Sequence, residues 1–185
     1  MTEVSKRALH LGVVDLAQRA YEELERSPTV DSGLLGRLLT EVGRVEGPGL
    51  VARAWTTGRI SDQVLSEHLA AVWSLAEYPD TALPRLVWRR LFDAAGYTVD
   101  GVRADRPAGE VVLWRGSVTE RRTDWSWTPD QRVAAQYAAG GVGGRPLGQL
   151  WQVTAPPEAL LAFMTTRGED EYVMDTTGLQ VDPGS

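Results

Sequence analysis

Three short stretches in the second half of the chain carry side chains able to do chemistry. They are Arg115 in Leu113-Trp114-Arg115-Gly116, Ser126 and Thr128 in Trp125-Ser126-Trp127-Thr128-Pro129, and the acidic triplet Glu169-Asp170-Glu171. A guanidinium presents a rigid fork of donors matched to oxyanions, and a carboxylate stabilises positive charge or takes up a proton. Each stretch also has an ordinary reading: a strand-end arginine forms a surface ion pair, Thr128 caps the helix after it, and an acidic triplet is a solvated loop. A fourth stretch, Gly140 to Gly148, holds Gly140, Gly141, Gly143, Gly144 and Gly148 around Arg145. Such a loop lets backbone amides approach an anion, and it reads equally well as a plain connecting loop. With Cys 0 and His 2 in the chain, thiolate chemistry is excluded and a serine–histidine triad or histidine-rich metal centre is disfavoured.

The elements that must position these residues follow from apolar spacing. Leu9, Val13, Leu16, Ala20 and Leu24 recur at three- and four-residue steps and predict a helix over 4–26. A second helix is expected over 33–42, closed by Gly43, and a third from the Gly47-Pro48-Gly49 break to about Trp55. Ser61 reads as the N-cap of a helix ending by about Glu77 before Pro79, and a further helix runs from Pro84 to a terminating Gly96.

After Tyr97 the helical spacing gives way to short β-rich runs, so a boundary is expected near 105: helices in 1–104, a β-rich core in 105–185. Strands are expected at 111–114, 125–127, 150–154 and 172–174, with a helical turn at 157–162. Thr128-Pro129-Asp130-Gln131 reads as a capping box with proline at the first helical position, opening a helix through Val133, Ala134 and Tyr137. Alternation puts Trp125 and Trp127 on one face and Ser126 on the other, so these tryptophans read as core or wall. The glycine loop follows a helix and therefore is not the fingerprint of a doubly wound dinucleotide fold.

Taken in order, arginine leaving a strand, Ser-x-Thr before a helix and Glu-x-Glu entering a later strand, residues 110–178 resemble the R-S-E class of mono-ADP-ribosyltransferases. The resemblance implies an α+β fold, with the helical first part packed on a split β-sheet core of ADP-ribosyltransferase type. It further implies an enzyme that cleaves the nicotinamide–ribose bond of NAD and transfers ADP-ribose to a protein acceptor. Glu171 resembles the carboxylate that bonds the ribose and steadies the developing oxocarbenium ion. Arg115 resembles the arginine that holds the cofactor, and Ser126 the serine that orients the glutamate. Glu169 matches the first position of Glu-x-Glu, which in arginine-modifying members deprotonates the acceptor guanidinium. Gly116, Thr128 and Arg145 stand where the resemblance implies further contacts to NAD, and Thr165-Thr166-Arg167-Gly168 resembles the acceptor-facing turn.

The pattern departs from the class at Ser126-Trp127-Thr128, which lacks the third member of the usual Ser-Thr-Ser block. The alternatives are an NAD glycohydrolase, an inactive module of the same fold that binds or inhibits, and a phosphate-handling domain built on the glycine loop.

Composition bounds the setting. The net charge of -6 and the lack of a basic block disfavour nucleic acid as a partner, and no apolar run is long enough to span a bilayer. No metal is expected. Lys6 is the one lysine among 19 basic residues, which fits GC-rich coding in a bacterium or its phage. The start lacks an uninterrupted apolar signal region, so a cytoplasmic protein, a toxin or phage effector included, is the expectation. The target protein, the acceptor residue and the oligomeric state leave no trace in the sequence.

Overall fold

A computed structural model describes residues 16–76, 78–140, 146–165 and 170–184. The chain is α+β, and the described residues divide into two compact units on either side of the Ala95–Gly96 bond.

The first unit is helical. Helix α1 covers 16–26 with Ala20 and Leu24 fully buried on the face its spacing predicts, whereas Leu16 at its first described residue is exposed; the expected turns before residue 16 lie outside the described residues. Helix α2 (Ser32–Thr56) begins at Asp31, whose carboxylate accepts the Leu34 N–H at 2.8 Å. It is two helical segments joined at Gly43, whose φ of 66° and ψ of -169° are open to glycine and very little else. The expected break at Gly47-Pro48-Gly49 is therefore displaced. Gly43 makes the kink, and Pro48 sits early in the segment that restarts after it, where few backbone bonds have yet formed.

Helix α3 (Asp62–Leu75) is capped by the Ser61 hydroxyl, α4 (Pro79–Ala82) is one turn, and α5 (Arg85–Ala95) ends at Gly96 with φ 76°. The packing of α3 on α5 centres on Trp73, Trp88 and Phe92, with the two indoles edge to face at 5.0 Å. Arg37 pairs with Glu23, and Arg53 and Arg59 both pair with Glu25, tying α1 to α2 and to the turn after it.

The second unit opens with a hairpin, β1 (Thr98–Val99) and β2 (Val102–Arg103), turned by Asp100 and Gly101 at φ 49° and 80°. This hairpin is why the division falls before residue 96 and not near 105: β1 pairs in parallel with β6 (Leu160–Met164). The larger sheet has the order β2-β1-β6-β7-β4, with β4 at Ser126–Trp127 and β7 at Glu171–Met174. The smaller has the order β3-β5-β8, with β3 at Val111–Ser117, β5 at Gln149–Ala155 and β8 at Asp182–Pro183. Trp114 and Thr128 exchange backbone hydrogen bonds of 2.8 and 2.9 Å and so join β3 to the end of β4. One core cluster draws on both sheets, including Leu113, Trp127, Trp151, Leu160 and Met174.

Two local expectations are corrected. The helical turn expected at 157–162 is a 3-10 turn over Pro157–Ala159 followed directly by β6, because Leu160, Leu161 and Ala162 are buried in succession and show no alternation. Helix α6 (Gln131–Ala138) is capped by Asp130, whose carboxylate accepts the Arg132 N–H at 2.8 Å, and not by Thr128. Thr128 is already held in extended backbone by its pairing with Trp114, and its hydroxyl accepts the Asp130 N–H in a small turn.

Candidate functional site

The expected site residues that are described come from adjoining strands. Antiparallel pairing sets Ser126 of β4 opposite Val173 of β7, and Trp127 opposite Tyr172. Glu171 lies two residues before Val173, so the pleat puts it on the same face as Ser126, diagonally across one strand gap. Both side chains are half-buried and both have partners. Glu171 is also the first residue of β7, paired with Met164 at the end of β6. Trp125 and Trp127, as expected, are buried.

Arg115 reaches the same corner from β3. It pairs with Trp151 and shares the core face with Leu113, whereas Ser126 alternates away from the core residue Trp127. Its guanidinium is a three-way connector. Nε donates to the Arg121 carbonyl at 3.0 Å, Nη1 to the Ser126 carbonyl at 2.6 Å, and Nη2 to Asp124 Oδ2 at 3.0 Å. The pair is well shielded, with Arg115 10% and Asp124 15% exposed. Asp124 Oδ2 also accepts from Arg121 Nε at 2.7 Å, and the Asp124 carbonyl accepts the Trp127 indole N–H at 2.6 Å. The segment between β3 and β4 is thus wound around one guanidinium, and at least three of its five donors serve the protein itself.

Gly116 and Thr128 have packing roles. A Cβ on Gly116 would fall on the Ala134 carbonyl oxygen and the Ala138 amide nitrogen, because α6 crosses β3 with its backbone directly against this residue. Thr128 is 9% exposed, with its backbone and hydroxyl engaged as described above. Arg145 and the glycines from Gly141 to Gly144 lie outside the described residues, as do Glu169 and the segment Thr166 to Gly168.

Beside Glu171, Tyr172 stacks on Phe163 with ring centroids 4.4 Å apart. Its hydroxyl is hydrogen-bonded to that of Tyr97; burial, and then the neighbouring phenol, push the Tyr97 hydroxyl well above its ordinary range. Among the described residues no cluster of histidine and carboxylate side chains could hold a metal ion.

Sequence reasoning missed Asp124, Arg121 and Asp100. The three-residue spacing of Arg121 and Asp124 was the one available signal for the first two. Chemically, the corner offers a carboxylate and a hydroxyl on one face, backed by a buried guanidinium, with no imidazole among these residues. That set suits stabilising a cation or orienting a hydroxyl better than it suits acyl transfer. No protein-family model, curated protein or solved structure matches the chain.

Proposed function

We propose that the protein is an NAD-dependent mono-ADP-ribosyltransferase whose acceptor is an arginine of another protein. One observation carries the reading: Arg115, Ser126 and Glu171, distant in sequence, belong to adjoining strands, with Ser126 and Glu171 diagonal on one face and the Arg115 guanidinium against the Ser126 carbonyl. Ser126 and Glu171 suit the nicotinamide ribose, a hydroxyl beside a carboxylate. As the glycosidic bond breaks, nicotinamide leaves with the bonding pair and positive charge grows on the ribose carbon, where the Glu171 carboxylate offsets it. A guanidinium nitrogen of the acceptor then bonds to that carbon and gives up a proton, the part that Glu-x-Glu implies for Glu169.

A second reading, a binding module without turnover, is favoured by the Arg115 contacts: a guanidinium with three protein partners acts as an internal connector. The two readings separate in one assay. NAD is incubated with native protein and with Glu171→Gln, with and without agmatine as an arginine mimic, and nicotinamide is measured by chromatography. Transfer predicts ADP-ribosyl-agmatine from the native protein and a fall of about 100-fold or more in the variant. Nicotinamide release with no agmatine adduct indicates hydrolysis. Saturable NAD binding without release selects the module, and equal turnover by the variant removes Glu171 from the mechanism.

A further inference from the structure

Asp100 is the one described residue other than glycine with positive φ, 49°. It occupies the first position of the β1–β2 turn, where a left-handed conformation is required, and asparagine or glycine would adopt it more readily. Its carboxylate does two jobs that glycine could not. Oδ1 accepts the Thr165 backbone N–H at 2.8 Å and Oδ2 accepts the Thr165 hydroxyl at 2.7 Å, while the Asp100 N–H donates to the Phe163 carbonyl at 2.9 Å. Both ends of this residue therefore grip the last residues of β6. Thr165 directly follows Met164, and Met164 is the pairing partner of Glu171 at the outermost rung of the β6–β7 ladder. A terminal rung frays unless something holds it.

We infer that Asp100 is a positioning residue for Glu171: its carboxylate, bonded twice to Thr165, keeps the end of β6 in place so that the Met164–Glu171 rung, and with it the Glu171 carboxylate, stays in register. The inference rests on the proposed function for what Glu171 does, but not for the clamp itself.

The test uses the full-length protein and three variants. Asp100→Gly keeps the turn and removes the carboxylate. Asp100→Asn keeps the turn and both bonds, since its carbonyl accepts the Thr165 N–H and its amide donates to the Thr165 hydroxyl, which reverses its role. Thr165→Val removes one bond. Amide hydrogen exchange is followed over 160–165 and 171–174, with 111–117 and 149–155 of the smaller sheet as internal reference. The clamp predicts exchange about five- to tenfold faster at Met164, Thr165 and Glu171 in Asp100→Gly, a smaller rise in Thr165→Val, native rates in Asp100→Asn, and no change in the reference strands. Turnover of NAD is measured alongside, with kcat expected to fall in Asp100→Gly while KM for NAD holds, and with native kcat and KM in Asp100→Asn.

Native exchange at Glu171 in Asp100→Gly overturns the inference, as does equal acceleration in the reference strands. Accelerated exchange with kcat unchanged also overturns it, because the rung would then move without consequence for Glu171. If the native protein turns over no NAD, the proposed function fails, and the exchange data still decide whether the clamp orders Glu171.

Discussion

At the scale of single residues, Arg115 separates a connector from a ligand-binding arginine. Its three nitrogens donate to two backbone carbonyls and a shielded carboxylate, a fork that a guanidinium supplies and an ammonium does not. Arg115→Lys keeps the charge but leaves at least one half-buried carbonyl without its donor, so unfolding stability should drop by about 1 kcal/mol. Urea denaturation of the native protein and the variant measures this; a native midpoint would mean that the guanidinium holds nothing together and is kept for a ligand. In the sequence Arg115 was expected at the exit of a strand, whereas it lies inside β3, whose ladder with β5 runs on to Ser117, and nothing marked it as the hub of the segment after it. Two of its three partners are main-chain oxygens, which carry no residue identity, and the third, Asp124, lies in an irregular stretch without periodicity.

At the scale of elements, α6 and β3 meet through an absent side chain. The Ala134 carbonyl and the Ala138 amide stand where a Cβ of residue 116 would be, so Gly116→Ala must push the helix off the strand. We expect a loss of about 3 kcal/mol, from overpacking against backbone that cannot rotate away. The variant should also lose helical signal from α6, read by chemical denaturation with circular dichroism; native stability would show that α6 can shift without penalty. The resemblance made Gly116 a residue for NAD, whereas the packing gives it a sufficient reason of its own. Elements with strong local chemistry were legible: the Ser61 cap, the Gly96 stop and the alternation of Trp125, Ser126 and Trp127. Strand β6 was not, since burial on both faces erases the period of two and leaves Leu-Leu-Ala-Phe-Met looking like helix. The β1–β2 hairpin carried the Asp-Gly turn signal, but its strands have two residues each, too few for a pattern.

At the scale of the whole molecule, the change from helical to β-rich spacing was legible, displaced by the hairpin, and groups that set the pH limits of stability lie in both units. In the helical unit, hydrogen bonds from Arg37 to Glu23, from Arg53 to Glu25, and from Ser32 and then Gln63 to Glu67 hold these carboxyls below their ordinary value of 4.5. Groups with depressed folded values favour the fold above that pH and cease to as pH falls through it toward their folded values. All three are exposed, so this acid limb should be shallow and weakened by salt. In the β-rich unit, burial raises Tyr97 and Tyr172 above the ordinary phenol value of 10.0, and in the helical unit burial and then Glu46 raise Tyr21. A folded state that keeps its phenol protons while the unfolded chain releases them is fully stable below pH 10 and loses stability as pH rises beyond it. Urea midpoints across pH should therefore fall gently below about 4.5 and more steeply above about 10. Tyr97→Phe removes the most displaced of these phenols, so its alkaline limb should flatten while the acid limb stays native. If the alkaline limb of Tyr97→Phe keeps the native slope, the buried tyrosine pair is not what limits the fold at high pH.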